Sequence, residues 1–343
     1  MKLYIKTFSI LVMAVVLAVS LCTPTYGEKI VWNFNSFMNP GHMGYETEMW
    51  LSKELEKRTN GQVKIEIFGG GALGFKGPRL LAIVGQGVVY SSEVWGSHVA
   101  GDLQIIELLA LPGLIPFDVD LRKKIVKNVM YPYLEKVLRE KFNIKLIYQV
   151  QVDPRNFYTN KAVRRLSDLK GIKLRTSGIV ENEFTKILGA IPVSIPGPEM
   201  YTALQQGIVD GVWNNHTSTY AIRIYEQAKN NLELNIGGDS IFFLANLDKF
   251  KALPPEYQKI LLELGQQGAE LLNDRVGKEH KSTKEKLQNL GMTFYEPHPD
   301  DLQFIRREVP KIWDMWMKKA EPEAKEMMEK IKALIGEWEK SHK

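Results

Sequence analysis

The chain has 343 residues, 44% of them hydrophobic and 25% charged, with a formal net charge of +5. That length and composition suit a soluble globular protein with room for two cores. The charge is too mild and too evenly mixed with acids to argue for nucleic acid.

The N-terminus reads as an address rather than as part of a fold. Lys2 and Lys6 precede an apolar run from Phe8 to Cys22, and small and polar residues follow. The run is shorter than the roughly 20 residues a membrane span needs, so residues 1–27 read as a secretory signal cut after Ser20 or Gly27. The mature chain is then expected in the periplasm with a net charge of +3, since Lys2 and Lys6 are lost. Cys22 is the only cysteine, which excludes a disulfide framework, thiol catalysis and cysteine-based metal sites.

Ile30–Phe34 is a predicted strand, and Met43–Arg58 a helix with Asn60-Gly61 as its stop. Val63, Ile65 and Ile67 alternate with polar residues, so VKIEIF is a strand. A short helix over Arg79–Val84 and a strand within GVVYSSEVW follow. The span Asp120–Lys141 reads as helix, capped by Asp120 and broken or kinked at Pro132. Ile144–Val152 is a long strand with Arg155 at its end. Ile172–Arg175 is a strand and Val180–Leu188 a helix. IPVSI is an edge or bent strand among prolines, Glu199–Gln206 a helix, and IVDGVW a strand. NIGGDSIFFLAN (Asn235–Asn246) looks like a return crossing. From Pro254 the pattern is helical apart from a strand at Met292–Glu296. Alternation of strand and helix over 30–150 and 170–235 predicts an α/β architecture with mostly parallel sheets, in two lobes, with a ligand cleft between them.

The motif GGGALG (Gly69–Gly74) fits the dinucleotide fingerprint and has Glu93 downstream. The strand before it carries Lys64 and Glu66 on one face, unlike a strand buried on both faces, and the next helix starts late, after Gly77-Pro78. It reads as a turn, and no cofactor is expected. The six histidines show no metal-ligand spacing, and no nucleophile-and-base set appears. No metal site and no enzyme activity are expected. Trp313 and Trp316 share a helix face and read as core. Arg175 stands at the C-terminal end of a strand just before a helix, where α/β folds place ligands. It is either a surface ion pair with Asp168 or Glu181, or one half of a carboxylate clamp with Arg155, since a guanidinium matches a carboxylate with two parallel hydrogen bonds.

DLKGIKLR, followed by LGAIPVSIPGPEMYTALQQGIVDGVWNN, closely resembles the substrate-binding proteins of TRAP (tripartite ATP-independent periplasmic) transporters. KRTNGQVKIEIFGGGALG and PRNFYTNKAVRRLSDLKG extend the likeness, which runs from about residue 30 to 265. The resemblance implies a periplasmic-binding-protein-like fold of two lobes closing on a small organic acid and delivering it to membrane permease subunits. We assign 28–152 plus 241–280 to lobe I and 153–240 plus 281–343 to lobe II. By this likeness Arg175 is the carboxylate-binding arginine, Arg155 its support, and Asn214 a polar residue that fixes the carboxylate. Phe37, Asn39, Glu93 and Trp95 fall in segments lining the first-lobe side. The chain departs from the family at Pro196-Gly197-Pro198, where many members carry an aromatic residue, and at Val212-Trp213, where they often carry Gln-Glu. These departures suggest an apolar wall built from Trp213 and Trp95, and hence a monocarboxylate with an apolar or aromatic body; the other reading of Trp213 is core packing. The alternatives are an ABC-type receptor, a sensory module, and an exported enzyme or dehydrogenase built on GGGALG.

Overall fold

The computed structural model describes residues 28–75 and 77–342; the predicted signal segment, its cleavage points and Cys22 lie outside the described residues. The strands are β1 (Ile30–Asn35), β2 (Val63–Phe68), β3 (Ser91–Trp95), β4 (Ile144–Gln151), β5 (Arg155–Thr159), β6 (Lys173–Thr176), β7 (Ile191–Ser194), β8 (Gly211–Asn215), β9 (Asn230–Ile236), β10 (Ser240–Asn246) and β11 (Thr293–Tyr295). They form two sheets, ordered β2-β1-β3-β10-β4 and β11-β9-β5-β8-β6-β7. Five pairings are parallel and four are antiparallel. Each sheet carries helices, so the molecule is a two-lobed α/β protein, as the alternation implied.

The chain crosses between the sheets where backbone pairing is interrupted. β4 ends at Gln151, and Pro154, which has no N–H to give a ladder, separates it from Arg155. Arg155 instead opens β5 in the other sheet, which corrects its expected place at the end of the long strand. The return runs from β9 to β10 through Gly237 and Gly238, at φ of +67° and +152°, backbone that side chains with a Cβ rarely adopt. The two crossings lie side by side, with the Val152 amide bonded to the Asp239 carbonyl at 3.0 Å.

Helix Met43–Arg58 starts where expected. His42 caps it, accepting the Gly44 amide at Nδ1 (3.1 Å). The predicted Asp120 cap is in fact Asp118, whose carboxylate accepts the Leu121 amide at 2.7 Å. Pro132 does not break this helical run. A wider turn at Val126–Met130, closed by the Tyr131 amide on the Val126 carbonyl, absorbs the missing donor. Gly69–Gly74 is a turn: the Gly70 and Gly71 amides bond the Met38 and Ser36 carbonyls, both at 3.0 Å. These two amides are thus used within the protein, and among the described residues no helix follows the turn before Leu80 apart from a short 3₁₀ turn at Gly77–Arg79.

Helix Pro255–Asn289 has 35 residues, about 50 Å of rise. Leu261, Leu264, Leu272 and Val276 pack in the core under the first sheet, and Leu287 packs under the second. Helix Pro299–Met317 leans on helix Ile179–Ile187 of the second lobe, whereas helix Ala324–Ser341 returns to the 119–130 helices of the first. Trp316 is buried in the core, and Trp313 donates its indole N–H to the Pro112 carbonyl at 2.9 Å.

Candidate ligand-binding cleft

Between the lobes lies a cleft of about 680 Å³, with a side chamber of about 420 Å³. Phe37, Ser97, His98, Arg175, Ser177 and Gly197 line both. Phe37 and Asn39 come from the loop after β1, Trp95 from the end of β3, Arg175 from β6 and Asn214 from β8. These positions are strand ends, the usual ligand site of an α/β sheet.

Alternation along β6 sends Leu174 into the core and Arg175 into the cleft. Arg175 is only 4% exposed. Its Nε donates to the Ile195 carbonyl at 2.7 Å, and among the described residues no carboxylate pairs with it. The expected partners are engaged elsewhere. Asp168 accepts the Arg164 and Arg165 amides at 2.9 and 3.0 Å. Glu181 accepts the Ser177 amide at 2.6 Å and its hydroxyl at 2.7 Å, and pairs with Arg155. Burial, reinforced by the Arg155 charge, pulls the Arg175 guanidinium down to about 9. It therefore stays a cation at neutral pH, held in an environment that disfavours its charge.

Arg155 is the opposite case. Its Nη2 donates to Asp239 at 2.9 Å and its Nη1 to the Ser177 hydroxyl at 2.9 Å, beside Glu181. Two carboxylates already neutralise it, so the expected open clamp of two arginines is instead one open arginine and one closed ion-pair network. Asp239 also accepts the Ser97 hydroxyl at 2.5 Å. Asn214 lines the cleft and donates to the Thr219 hydroxyl at 3.2 Å.

Two other expectations are corrected. Trp213 is one residue before Asn214 on β8 and so faces the other way. It packs between Phe157 and Phe184, at ring distances of 5.5 and 5.0 Å, and belongs to the core rather than to the cleft wall. Glu93 lies beneath the cleft without lining it. It accepts the Ser36 hydroxyl at 2.6 Å and the Trp95 indole N–H at 2.5 Å. Burial pushes its carboxyl up to about 7, against those two hydrogen bonds. Its task in the structure is to hold Trp95, whose ring does line the cleft.

His98 and Asp239 were not singled out from the sequence. A lone histidine carries no pattern, and Asp239 finds Arg155 only through the fold, 84 residues away in sequence. The structure also brings the ligand atoms of His216, Glu233 and His280 within 4.8 Å of one another, although their spacing along the chain gave no metal signal. The two imidazoles stack at 4.5 Å with planes 16° apart, so their lone pairs lie in separate, nearly parallel planes, which is poor geometry for sharing one ion. Glu233 is paired with Lys284 and bonded to His216 Nε2 at 3.2 Å.

Residues 34–320 match the model of the bacterial extracellular solute-binding protein family 7, DctP. The chain belongs to this family, that of the TRAP solute receptors. A solute-binding protein of Sulfitobacter sp. (strain NAS-14.1) is 26% identical over 295 residues, covering 84% of this chain and 87% of that protein. The 2,3-diketo-L-gulonate-binding periplasmic protein YiaO of Escherichia coli (strain K12) is 24% identical over 260 residues, 73% of this chain and 78% of its own. Among solved structures, DctP7 of Bordetella pertussis, an extracytoplasmic solute receptor binding pyroglutamic acid, superposes with a TM-score of 0.83 at 21% identity, covering 88% of this chain and 99% of that one. A TRAP receptor of Desulfovibrio salexigens with bound orotic acid gives 0.83 at 21%, covering 90% and 99%. The family and fold of this receptor are those of solute-binding proteins rather than enzymes. Among its described residues, no helix is long and apolar enough to cross a membrane.

Proposed function

We propose that this receptor binds a small organic acid through Arg175, closes on it, and delivers it to the permease subunits of a TRAP transporter from the periplasmic side. The observation that carries this reading is a buried guanidinium at the junction of two chambers, with a carbonyl as its protein partner and no counter-ion among the described residues. An incoming carboxylate supplies the missing charge and the bidentate geometry. Arg175 is the one charged group among the six residues shared by both chambers, which suits a single carboxylate. Phe37, Met38 and Trp95 line the cleft and Ile195 and Pro196 the side chamber, which favours an apolar or aromatic body. Arg155 holds the frame through Asp239 and Glu181 rather than taking the ligand. The organic acids named for the structural relatives agree with this class.

The lobes are taken as 28–152 plus 241–280 and 153–240 plus 281–343, except that the last helix rides on the first lobe. The hinge is then the paired crossings at 152–154 and 237–239. Closure that brings first-lobe groups onto a ligand held by Arg175 supplies the differential affinity a two-state receptor needs.

The test is a thermal-shift screen of refolded receptor against pyroglutamate, orotate, 3-phenylpropanoate and succinate. A ligand at about 100 times its dissociation constant adds about 2.7 kcal/mol of stability. Monocarboxylates are expected to raise the melting temperature. Silence from every carboxylate removes the proposal, and equal responses to succinate and 3-phenylpropanoate remove its apolar-body clause.

A further inference from the structure

Recognition of a carboxylate by Arg175 leaves one group at the junction of the chambers without a task. The other polar groups there are engaged. Ser97 donates its hydroxyl to Asp239 at 2.5 Å and its amide to the same carboxylate at 3.2 Å. Ser177 donates to Glu181 at 2.7 Å and accepts from Arg155 at 2.9 Å. In the side chamber Thr176 donates to Asn182 at 2.5 Å, and Ser194 accepts from Asn182 at 3.5 Å. The remaining wall there is Gly77, Pro78, Ile195 and Pro196. Among the described residues, the groups of the junction left open are the terminal nitrogens of Arg175 and the imidazole of His98.

His98 is well placed to use that freedom. It sits in the one-turn helix Gly96–Val99, which the Ser97–Asp239 contact ties to the hinge. Its ring lies 5.1 Å from that of Phe37, which limits its tilt. The ring lines both chambers; its Nδ1 is buried with no hydrogen-bond partner, and no hydrogen bond to protein occupies its other nitrogen among the described residues. Burial, with the nearby arginine charges, holds the imidazole down at about 4, although Asp239 pulls the other way. At neutral pH it is therefore uncharged, with one nitrogen to donate and one to accept. Arg175 and His98 both line the two chambers where they meet, so a carboxylate held by the one brings the start of the ligand's body toward the other.

We propose that His98 is a specificity-determining residue: its imidazole hydrogen-bonds a hydroxyl, oxo or amide group on the carbon adjoining the ligand's carboxylate. The receptor's ligands are then 2-substituted acids rather than plain carboxylic acids. This rests on the carboxylate reading of Arg175.

The test is isothermal titration of refolded receptor with two matched pairs, pyroglutamate against cyclopentanecarboxylate and 3-phenyllactate against 3-phenylpropanoate. Wild type should prefer the substituted member by about ten- to a hundredfold, the effect of leaving a buried hydrogen-bonding group unpaired. His98→Phe keeps an aromatic ring against Phe37 and removes both nitrogens, so the ratio should fall toward one. His98→Asn, which can still donate and accept, should restore part of it; a general packing defect would weaken both members and leave the ratio in place. Equal binding of both members by wild type, or a ratio that survives in His98→Phe, overturns the assignment. If plain acids bind, weaken in Arg175→Lys and show no preference, the carboxylate reading stands and His98 falls alone. If no member of either pair binds, both fall together.

Discussion

A receptor that keeps a buried cation ready for its ligand is less stable without that ligand than it could be, and Arg175→Met tests this. Burial lowers the guanidinium from its ordinary value to about 9, which corresponds to about 5 kcal/mol of disfavoured charge. Below about pH 9 the folded and unfolded states both carry the charge, so this penalty is constant across neutral pH. Methionine matches the stem of arginine in length and flexibility and carries no charge. Part of the penalty is already offset by the bond to Ile195, so the ligand-free variant is expected to gain about 1–4 kcal/mol, as when other buried ions are replaced by apolar residues. Equilibrium urea unfolding of refolded, ligand-free protein measures the gain. The same variant should lose about 2–5 kcal/mol of carboxylate affinity, the effect of truncating a buried charge partner, read by titration with pyroglutamate. A variant less stable than ligand-free wild type refutes the argument, because it means that the guanidinium already has its charge satisfied. Unchanged affinity refutes the assignment of the anchor.

Arg155→Ala should behave in the opposite sense: it strands Asp239 and Glu181 in the interior and should cost about 3–5 kcal/mol of stability. A urea midpoint within error of wild type would show that the network is solvated. Trp213→Ala opens a cavity between Phe157 and Phe184 and should cost about 3–5 kcal/mol, leaving the affinity of the folded fraction unchanged; a parallel loss of affinity would return Trp213 to the cleft wall. Burial pushes the Glu93 carboxyl in the folded protein from its ordinary range near 4.5 up to about 7. Its protonated form stabilises the fold below about pH 4.5, and that contribution is lost as pH rises through 7. The stability of wild type relative to Glu93→Gln should therefore fall between pH 5 and pH 8, by up to about 3 kcal/mol, and a constant difference between urea curves at the two values would contradict the burial argument.

The elements carried by periodicity were readable in the sequence alone. VKIEIF alternates and is β2; Met43–Arg58 has a stop signal and is a helix to the residue. β5 was not separated from β4, because Pro154 marks an interruption but not which sheet the chain enters next. Arg175 could be found from a four-residue alternation and from resemblance. The state of Arg155 could not, since its neutralisation depends on Asp239, which belongs to the other crossing. Trp213 shows how narrow the margin is: a strand reverses facing at every residue, so an aromatic beside a cleft residue is by default a core residue. His98 had no partner in sequence or in spacing, and its significance comes from what its neighbours are already bonded to.

The order β2-β1-β3-β10-β4 places β10 between β3 and β4. Until residues 240–246 arrive, the first sheet is a three-strand piece and a separate strand, each with an open edge that invites wrong pairing. The second sheet likewise lacks its β11 edge until residue 293. Neither lobe can be finished while the chain is still short, so the receptor folds late and as a whole, through contacts distant in sequence and therefore slowly made. A fragment ending between the lobes would inherit the unpaired edges without the strand that closes them.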